Sequence, residues 1–206
     1  YLFKDVTGFR VGLVLEALQG ADPETLRVFG ECVETLKSLG VEVVETELPS
    51  ADDFRLCNNL GLIISRVEAA AYHTAFPGAG PQYITQVFEQ LDEAAQVKAV
   101  DYINAQRFRS EFRERMLAEL EGFDASIMPT TLVPAVKAED TERYLTILSR
   151  NCIPWSMIGF PTLSAPAGLT SGGLPVGAQF VSAPFDDGII LALASALESA
   201  TEQQRP

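Results

Sequence analysis

The N-terminal quarter of the chain contains a strand, a helix and a second strand in close succession, and this order most constrains the fold. The first run, FRVGLVL (residues 9–15), is mostly apolar, as is typical of a buried strand. Asp22 and Pro23 then match the start of a helix, and Gly40 matches its end. Because residues 41–49 alternate as a second strand, the segment predicts parallel strands joined by a helix and therefore an α/β fold.

The rest of the chain predicts a mixed β-sheet covered by helices, with residues 1–206 forming a single unit. No linker, internal repeat or low-complexity tract divides the sequence. Apolar residues recur at helical spacing over long stretches, and short apolar or alternating runs mark the strands. The predicted helices lie at residues 52–76, 82–121, 142–150 and 186–198, and the further strands lie at 162–169, at 174–182 and within 123–135.

Two adjacent glycines, Gly172 and Gly173, stand between the last two predicted strands. A phosphate-binding loop needs either the Walker pattern or G-x-G-x-x-G between a strand and a helix, and neither pattern is present. The run that follows Gly173 alternates as a strand does. The stretch therefore predicts a hairpin turn, in which glycine supplies positive φ, rather than a nucleotide site.

The charge of the chain argues against nucleic acid and membrane partners. The chain carries 28 acidic side chains against 15 Lys and Arg, a formal net charge of −13, whereas phosphate backbones and anionic membranes attract basic surfaces. No apolar run has the length of a membrane-spanning helix, and the N-terminus lacks the layout of a signal peptide. We therefore expect a cytoplasmic protein. Its three widely spaced cysteines predict buried thiols rather than disulfides or a zinc site.

The residues by themselves contain no catalytic or metal-binding constellation. The single histidine, His73, stands near the end of a predicted helix, and no G-x-S-x-G motif surrounds any serine. Paired metal-ligand motifs and cofactor motifs are absent from the sequence. The arginines in the helix that ends near residue 121 alternate with glutamates, so we interpret them as a solvated, ion-paired face. The sequence thus predicts no catalytic residue, no metal and no cofactor.

Three segments resemble the C-terminal half of the amidase signature family. They are FDASIMPTT (residues 123–131), NCIPWSMIGFPTLSAPAG (residues 151–168) and GLPVGAQFV (residues 173–181). The likeness runs over about residues 8–200, nearly the whole chain. It implies that the chain is the C-terminal part of an α/β/α amidase signature fold.

The resemblance implies hydrolysis of carboxamide C–N bonds by a Ser–cis-Ser–Lys triad. In this family a serine attacks the amide carbonyl, and a lysine takes the serine proton through a second serine, with backbone N–H groups as the oxyanion hole. That machinery belongs to the N-terminal half of the family fold, and this chain has no Gly-Gly-Ser-Ser-Gly-Gly-Ser segment. No catalytic residue is therefore carried over, and we expect the 206-residue chain to be inactive alone.

The resemblance further implies that two segments line the pocket for a small-molecule amide. Apolar side chains beside prolines also suit a role in packing, so both interpretations stay open for them. The tRNA-linked glutamine amidotransferase subunits carry an aspartate near the position of Ser149, and its absence here favours a stand-alone amidase over such a subunit without deciding between them. The implied substrate-binding residues are Pro129, Thr130, Thr131, Trp155, Met157 and Ile158.

A C-terminal half implies a complementary N-terminal half as its partner. Strands such as 9–15 and 162–169 are expected to belong to a sheet whose other strands come from the N-terminal amidase half. The chain is then expected to expose an unpaired strand edge and an apolar face, which favour self-association or binding of that half. The alternative is a non-catalytic truncated or split module that acts as a folding partner or a binding domain.

Overall fold

The computed structural model describes residues 2, 4–47, 49–76 and 82–202, and these residues contain a five-stranded mixed sheet. The strands are β1 (Arg10–Val14), β2 (Glu42–Thr46), β3 (Ala125–Pro129), β4 (Thr162–Leu169) and β5 (Pro175–Val181). Across the sheet they stand in the order β2-β1-β3-β5-β4. β1 is parallel to both neighbours, whereas β5 is antiparallel to β3 and β4. The mixed sheet and the parallel first two strands are therefore confirmed.

Seven α-helices lie in the described part of the chain. They are α1 (Pro23–Ser38), α2 (Ala51–His73), α3 (Thr85–Ala95), α4 (Ala99–Leu120), α5 (Thr141–Ser149), α6 (Ile153–Ile158) and α7 (Asp187–Glu202), with 3-10 turns at Leu15–Leu18 and Ala138–Asp140. The stretch 82–121, predicted as helical almost throughout, forms two helices because the backbone is extended at Lys98 (φ −70°, ψ 143°). None of the described helices combines the length and the hydropathy needed to cross a bilayer.

Helices cover both faces of the sheet and bury a core on each side. On one face α1 and α7 contribute Val28 and Leu193 to a cluster that includes the side chains of β1, β3, β4 and β5. On the other face α2, α4 and α6 pack together, with Phe54 and Trp155 among the large buried side chains. This arrangement confirms the predicted α/β fold, a mixed sheet covered by helices.

The starts of α1 and α2 follow the capping residues of the sequence. Asp22 Oδ1 accepts a hydrogen bond from Glu24 N (2.9 Å) at the start of α1, and Gly40 has φ +83° just after its end. At the start of α2, Ser50 and Asp53 exchange hydrogen bonds as a capping box. These contacts satisfy backbone N–H groups that the first turn of a helix leaves without a partner.

The two edge strands of the described sheet differ in charge. β1 is paired on both sides within this chain, so the edge strands are β2 and β4, and the expectation of an unpaired edge at residues 9–15 is wrong. Of the two edge strands, β2 carries Glu42 and Glu45, and Glu47 follows it directly. Charged side chains on an edge strand discourage pairing with another chain. β4 has no charged side chain and lacks this protection.

The three cysteines are free thiols, of which Cys32 and Cys57 are buried and Cys152 is partly buried. The prediction of buried thiols is thus confirmed for the first two. Burial raises the pKa of Cys32 to about 12, and burial also raises the pKa of Cys57 and of Cys152. All three therefore stay protonated at neutral pH, whereas a cysteine nucleophile needs its thiolate form.

The stretch between β4 and β5 is a hairpin turn, as predicted. Thr170 N donates to Leu174 O (2.8 Å), and Gly173 N donates to Thr170 O (2.9 Å). Gly173 has φ +79°, a value that only glycine adopts easily, whereas Gly172 has no positive φ. Only one of the two glycines is therefore required by the backbone.

We expect Gly173→Ala to lower the free energy of unfolding by about 1 kcal/mol and Gly172→Ala to change it by less than about 0.5 kcal/mol. A Cβ atom at Gly173 meets no atom within 4 Å, so the loss comes from the left-handed backbone alone. A Cβ atom at Gly172 makes only an ordinary 3.8 Å contact with Thr170 Oγ1, which makes this variant the matched control. Urea unfolding measures both values, and equal losses at the two sites would contradict the assignment.

Candidate functional site

The loop after β3 holds the first group of site residues predicted from the sequence. Pro129 is the last residue of β3, and Thr130 N donates to Gly177 O (2.9 Å). The hydroxyl oxygens of Thr130 and Ser164 lie 2.6 Å apart, and Thr131 Oγ1 donates to a carbonyl of its own loop (2.7 Å). Both threonine hydroxyls are thus hydrogen-bonded within the protein.

Gly177 on β5 makes room for the hydroxyl pair. A Cβ atom at position 177 would lie 2.7 Å from Thr130 Oγ1 and 2.8 Å from Ser164 Oγ. These distances are shorter than a carbon–oxygen van der Waals contact, so a side chain here would displace the pair. The glycine therefore lets the loop after β3 lie directly against β4 and β5.

Asn151, just before α6, connects three parts of the site. Its side chain is fully buried (0% exposed), and Asn151 Nδ2 donates to Ala17 O (3.0 Å) and Pro129 O (2.9 Å). Its own carbonyl oxygen accepts a hydrogen bond from Gln179 Nε2 (2.8 Å). One residue thus joins the segment after β1, the end of β3 and the middle of β5 to the start of α6.

Arg150 forms a partly buried ion pair beside this residue. Arg150 Nη2 lies 2.9 Å from Glu16 Oε1, and both Nη atoms donate to Glu16 O (3.1 Å each). The guanidinium carbon lies 4.6 Å from the centre of the Phe54 ring. Burial lowers the pKa of Arg150 and the neighbouring Glu16 opposes that shift, so the group stays charged at neutral pH. Its donors are directed at Glu16 and at Asn151 Oδ1 (3.4 Å), which makes it a structural cation.

Helix α6 holds the second group of predicted residues. Trp155 is 1% exposed, and its indole nitrogen lies 3.3 Å from Met128 Sδ on the sheet. Ile158 is 2% exposed and belongs to the same buried cluster. Met157 is 8% exposed, and its side chain lines a cavity. The structure thus places Trp155 and Ile158 in packing contacts and Met157 at a cavity wall.

The cavity lies between α2, α4 and α6 and has a volume of about 230 Å³. Four polar side chains from these three helices contribute to its lining, and the remainder of the lining is apolar. It is large enough for a small organic group, because a cavity of about 150 Å³ accommodates benzene. The apolar part of the lining consists of Gly61, Leu62, Ile64, Ile153 and Met157.

The two predicted groups are neighbours, but they do not line one cavity. Cys152 Sγ donates to Thr130 O (3.4 Å), and this contact joins the segment before α6 to the loop after β3. Within the described residues, however, neither Thr130 nor Thr131 contributes to the cavity wall beside Met157. The loop therefore supports the segment that leads into α6.

No hydrolytic or metal centre is found in the part of the chain that the structure describes. No three His, Cys, Asp or Glu side chains converge there as ligands. His73 Nδ1 lies 2.6 Å from Tyr83 Oη, and the His73 ring packs edge-on against Tyr72 and Tyr83. The histidine is thus part of an aromatic cluster at the end of α2.

Comparison with known proteins shows the family of the chain. The sequence model of the amidase family matches residues 3–191. The chain belongs to the amidase family. An amidase from Pseudomonas putida is 30% identical over 191 residues, which cover 87% of this chain and 40% of that protein. A glutamyl-tRNA(Gln) amidotransferase subunit from Geobacter metallireducens is 27% identical, covering 96% of this chain and 46% of that protein.

The fold of this amidase-family chain is also found in a crystal structure of an amidase. The two share 29% identity with a TM-score of 0.83, over 95% of this chain and 46% of that one. The chain spans about half the length of the curated relatives it matches. The resemblance seen in the sequence is thus confirmed for family and fold.

The sequence interpretation missed several residues of this candidate site. Asn151 and Gln179 lie in the segments that carry the resemblance, but nothing in their spacing predicts that they meet. Arg109 lines the cavity, so the interpretation of its helix as a wholly solvated, ion-paired face is wrong for this residue. A signal was present, because Arg109 and Arg113 are four residues apart on α4 and have no acidic residue at helical spacing.

Proposed function

We propose that this chain forms the C-terminal part of an amidase that hydrolyses carboxamide C–N bonds, with the catalytic serines and lysine lying outside residues 1–206. The family match over residues 3–191 carries this proposal. The relatives support it by their length, since the Geobacter protein matches 96% of this chain with only 46% of its own. The unmatched half of such a protein is where we place the Ser–cis-Ser–Lys triad.

The chain's own residues contribute binding and orientation to this reaction. The serine oxygen attacks the amide carbonyl, the leaving nitrogen takes the proton passed through the lysine, and water then releases the carboxylic acid. We assign the cavity beside Met157 to the acyl group of the substrate, because its apolar wall excludes water from that group. Trp155 and Ile158 pack α6 into the buried cluster, and Asn151 bonds the segment just before α6 to Pro129 O.

We assign a supporting role to Pro129, Thr130 and Thr131. Asn151 Nδ2 donates to Pro129 O, and Cys152 Sγ donates to Thr130 O. The loop therefore fixes the backbone that leads into α6, which forms part of the cavity assigned to the acyl group. Because the hydroxyls of Thr130 and Thr131 already have partners, a ligand would have to replace those bonds to reach them.

The N-terminal amidase half is the partner that we propose for the β4 edge. β4 carries no charged side chain, and a groove beside it is lined by Leu163, Leu191 and Ala194. Leu191 is 40% exposed, and covering such apolar surface favours association. In the absence of that half, the same edge favours self-association of the chain.

The test compares the 206-residue chain with the product of the complete open reading frame that encodes it. Ammonia release from a panel of carboxamides measures hydrolysis, and a fluorophosphonate detects an activated serine. We expect labelling and turnover for the complete product only, with a difference of about a millionfold, which is the order of effect when a nucleophile and base are removed together. A heat-treated sample of each protein is the control.

Saturable labelling or turnover by the 206-residue chain would disprove the placement of the triad outside it. A complete product without an activated serine would favour the alternative, a non-catalytic folding partner or binding module. Light scattering after size exclusion tests the β4 edge in the same samples. We expect association of the 206-residue chain alone, and a monomer at all concentrations would contradict that part of the proposal.

A further inference from the structure

The cavity between α2, α4 and α6 depends on a glycine in the middle of a helix. A Cβ atom at Gly61 would lie 2.8 Å from Ile153 Cγ2 and 3.5 Å from Met157 Sδ. Glycine lowers the stability of a helix interior by about 1 kcal/mol relative to alanine. Its presence in α2 is explained by the close approach of α6, which shapes the apolar wall of the cavity.

Two arginines on α4 depart from the charge pattern of their helix. Arg107 has Glu111 four residues later, and Arg115 has glutamates four residues away on either side. Arg109 and Arg113 instead stand four residues from each other, and neither has an acidic residue three or four positions away. Like charges at this spacing destabilise a helix by a few tenths of a kcal/mol. The pattern is therefore not explained by helix stability.

Neither of these arginines has a carboxylate partner among the described residues. Arg109 lines the cavity, and its Nη1 makes one long hydrogen bond to Gln106 Oε1 (3.4 Å). Arg113 lies with its guanidinium carbon 5.3 Å from the centre of the Phe160 ring, and its buried Nη1 has no hydrogen-bond partner. No ion pair within 4.0 Å joins either residue to another described residue. Arg113 does not line the cavity, whereas Arg109 does, and its side chain makes only that one hydrogen bond among the described residues. A carboxylate inside the cavity would therefore meet a guanidinium group that has no counter-ion among those residues.

The acidic residue at the cavity, Glu68, is held by neutral donors. Glu68 Oε1 accepts hydrogen bonds from Tyr102 Oη (3.0 Å) and Gln106 Nε2 (3.2 Å). Gln106 thus stands between the two charged groups, with its amide nitrogen toward Glu68 and its oxygen toward Arg109. Glu68 is therefore not the counter-ion of Arg109. Ser65 and Ser156 complete the polar lining.

We propose that this cavity binds an organic carboxylate, with the apolar group of the ligand inside it and the carboxylate paired with Arg109. This inference rests on the proposed function, in which the cavity holds the acyl group of an amide. The substrate is then a carboxamide that also carries a carboxylate, joined to the amide by a short apolar segment. Arg109 is the residue that selects this class over neutral amides, because a charge-assisted bond contributes more than a neutral one.

The test is a titration of the 206-residue chain with benzoate and with benzamide, in which NMR chemical shifts report binding. Benzoate combines an aromatic ring that fits the volume with a carboxylate, and benzamide is its neutral counterpart. We expect saturable shifts in α2, α4 and α6 with benzoate and at least about tenfold weaker binding of benzamide. Arg109→Gln should weaken benzoate binding by at least about tenfold, and Arg109→Lys should retain part of it.

Arg107→Gln is the matched control, since Arg107 lies on the same helix but does not line this cavity. Circular dichroism confirms that each variant is folded. Equal binding of benzoate and benzamide by the parent chain overturns the proposal, whether or not Arg109→Gln folds. Equal losses of benzoate affinity in folded Arg107→Gln and folded Arg109→Gln overturn it as well.

Inhibition of the complete product separates this proposal from the proposed function. Competitive inhibition by benzoate supports an anionic substrate, whereas hydrolysis that benzoate leaves unchanged overturns the proposed substrate class. If the complete product hydrolyses no carboxamide but benzoate binding still depends on Arg109, the proposed function is contradicted and the carboxylate site is not.

Discussion

Asn151→Asp should lower the free energy of unfolding by about 3–5 kcal/mol at neutral pH, because it buries a carboxylate opposite two carbonyl oxygens. In the native chain, Asn151 Nδ2 donates to Ala17 O and Pro129 O, and the side chain is 0% exposed. An aspartate removes both donors and adds a negative charge. Urea unfolding at neutral pH, monitored by circular dichroism, measures the loss of unfolding free energy.

The pH dependence of this variant supplies a second test. Burial and the facing carbonyl oxygens raise the pKa of the new carboxyl group in the folded state above its unfolded value of about 3.9. The loss of stability relative to the parent should therefore be smallest below about pH 4, where the neutral carboxyl can still donate one hydrogen bond, and grow as the pH rises toward the folded pKa. Asn104→Asp, at an exposed position of α4, is the matched control and should show little loss at any pH. A loss that stays constant with pH would show that the Asn151 site is open to water.

Trp155→Ala should lower the free energy of unfolding by about 3–5 kcal/mol, the range for a large buried aromatic residue. Trp155 is 1% exposed, and its ring centre lies 6.4 Å from that of Phe160. Its indole nitrogen reaches Met128 Sδ at 3.3 Å, so truncation leaves a cavity between α6 and the sheet. Because the chain has a single tryptophan, circular dichroism rather than fluorescence is the probe for the variant.

Trp155→Phe separates packing from direct contact with a ligand. If Trp155 acts by packing, this variant retains most of the stability and the benzoate affinity of the parent. A direct contact with the ligand would instead appear as normal stability with weakened benzoate binding. Stability of Trp155→Ala within about 1 kcal/mol of the parent would contradict the buried position of the ring.

Local sequence patterns predicted much of the fold. Asp22 and Gly40 bound α1, and Gly173 supplies the positive φ of the last hairpin, because capping and turn chemistry act within a few residues. The alternating and apolar runs identified the strands for the same reason. The family likeness was also readable, since it rests on contiguous segments such as residues 151–168.

The sequence did not predict the boundary between α3 and α4. Residues 82–121 continue one apolar pattern, and no proline or glycine interrupts it before Gly122. The break at Lys98 lies where two helices pack separately on α2. A helix end that depends on such packing leaves no capping residue in the sequence, and Lys98 makes no side-chain cap.

The sequence by itself determined the family, the strand and helix types and the absence of a recognisable triad in this chain. Only the tertiary structure decided that β1 lies inside the sheet, that Trp155 faces the core and that Arg109 faces a cavity. The physical reason is the separation of the partners along the chain: Asn151 bonds to Ala17, 134 residues away. Local periodicity restricts which face of an element a side chain occupies, but the element that packs against that face is set by the whole fold.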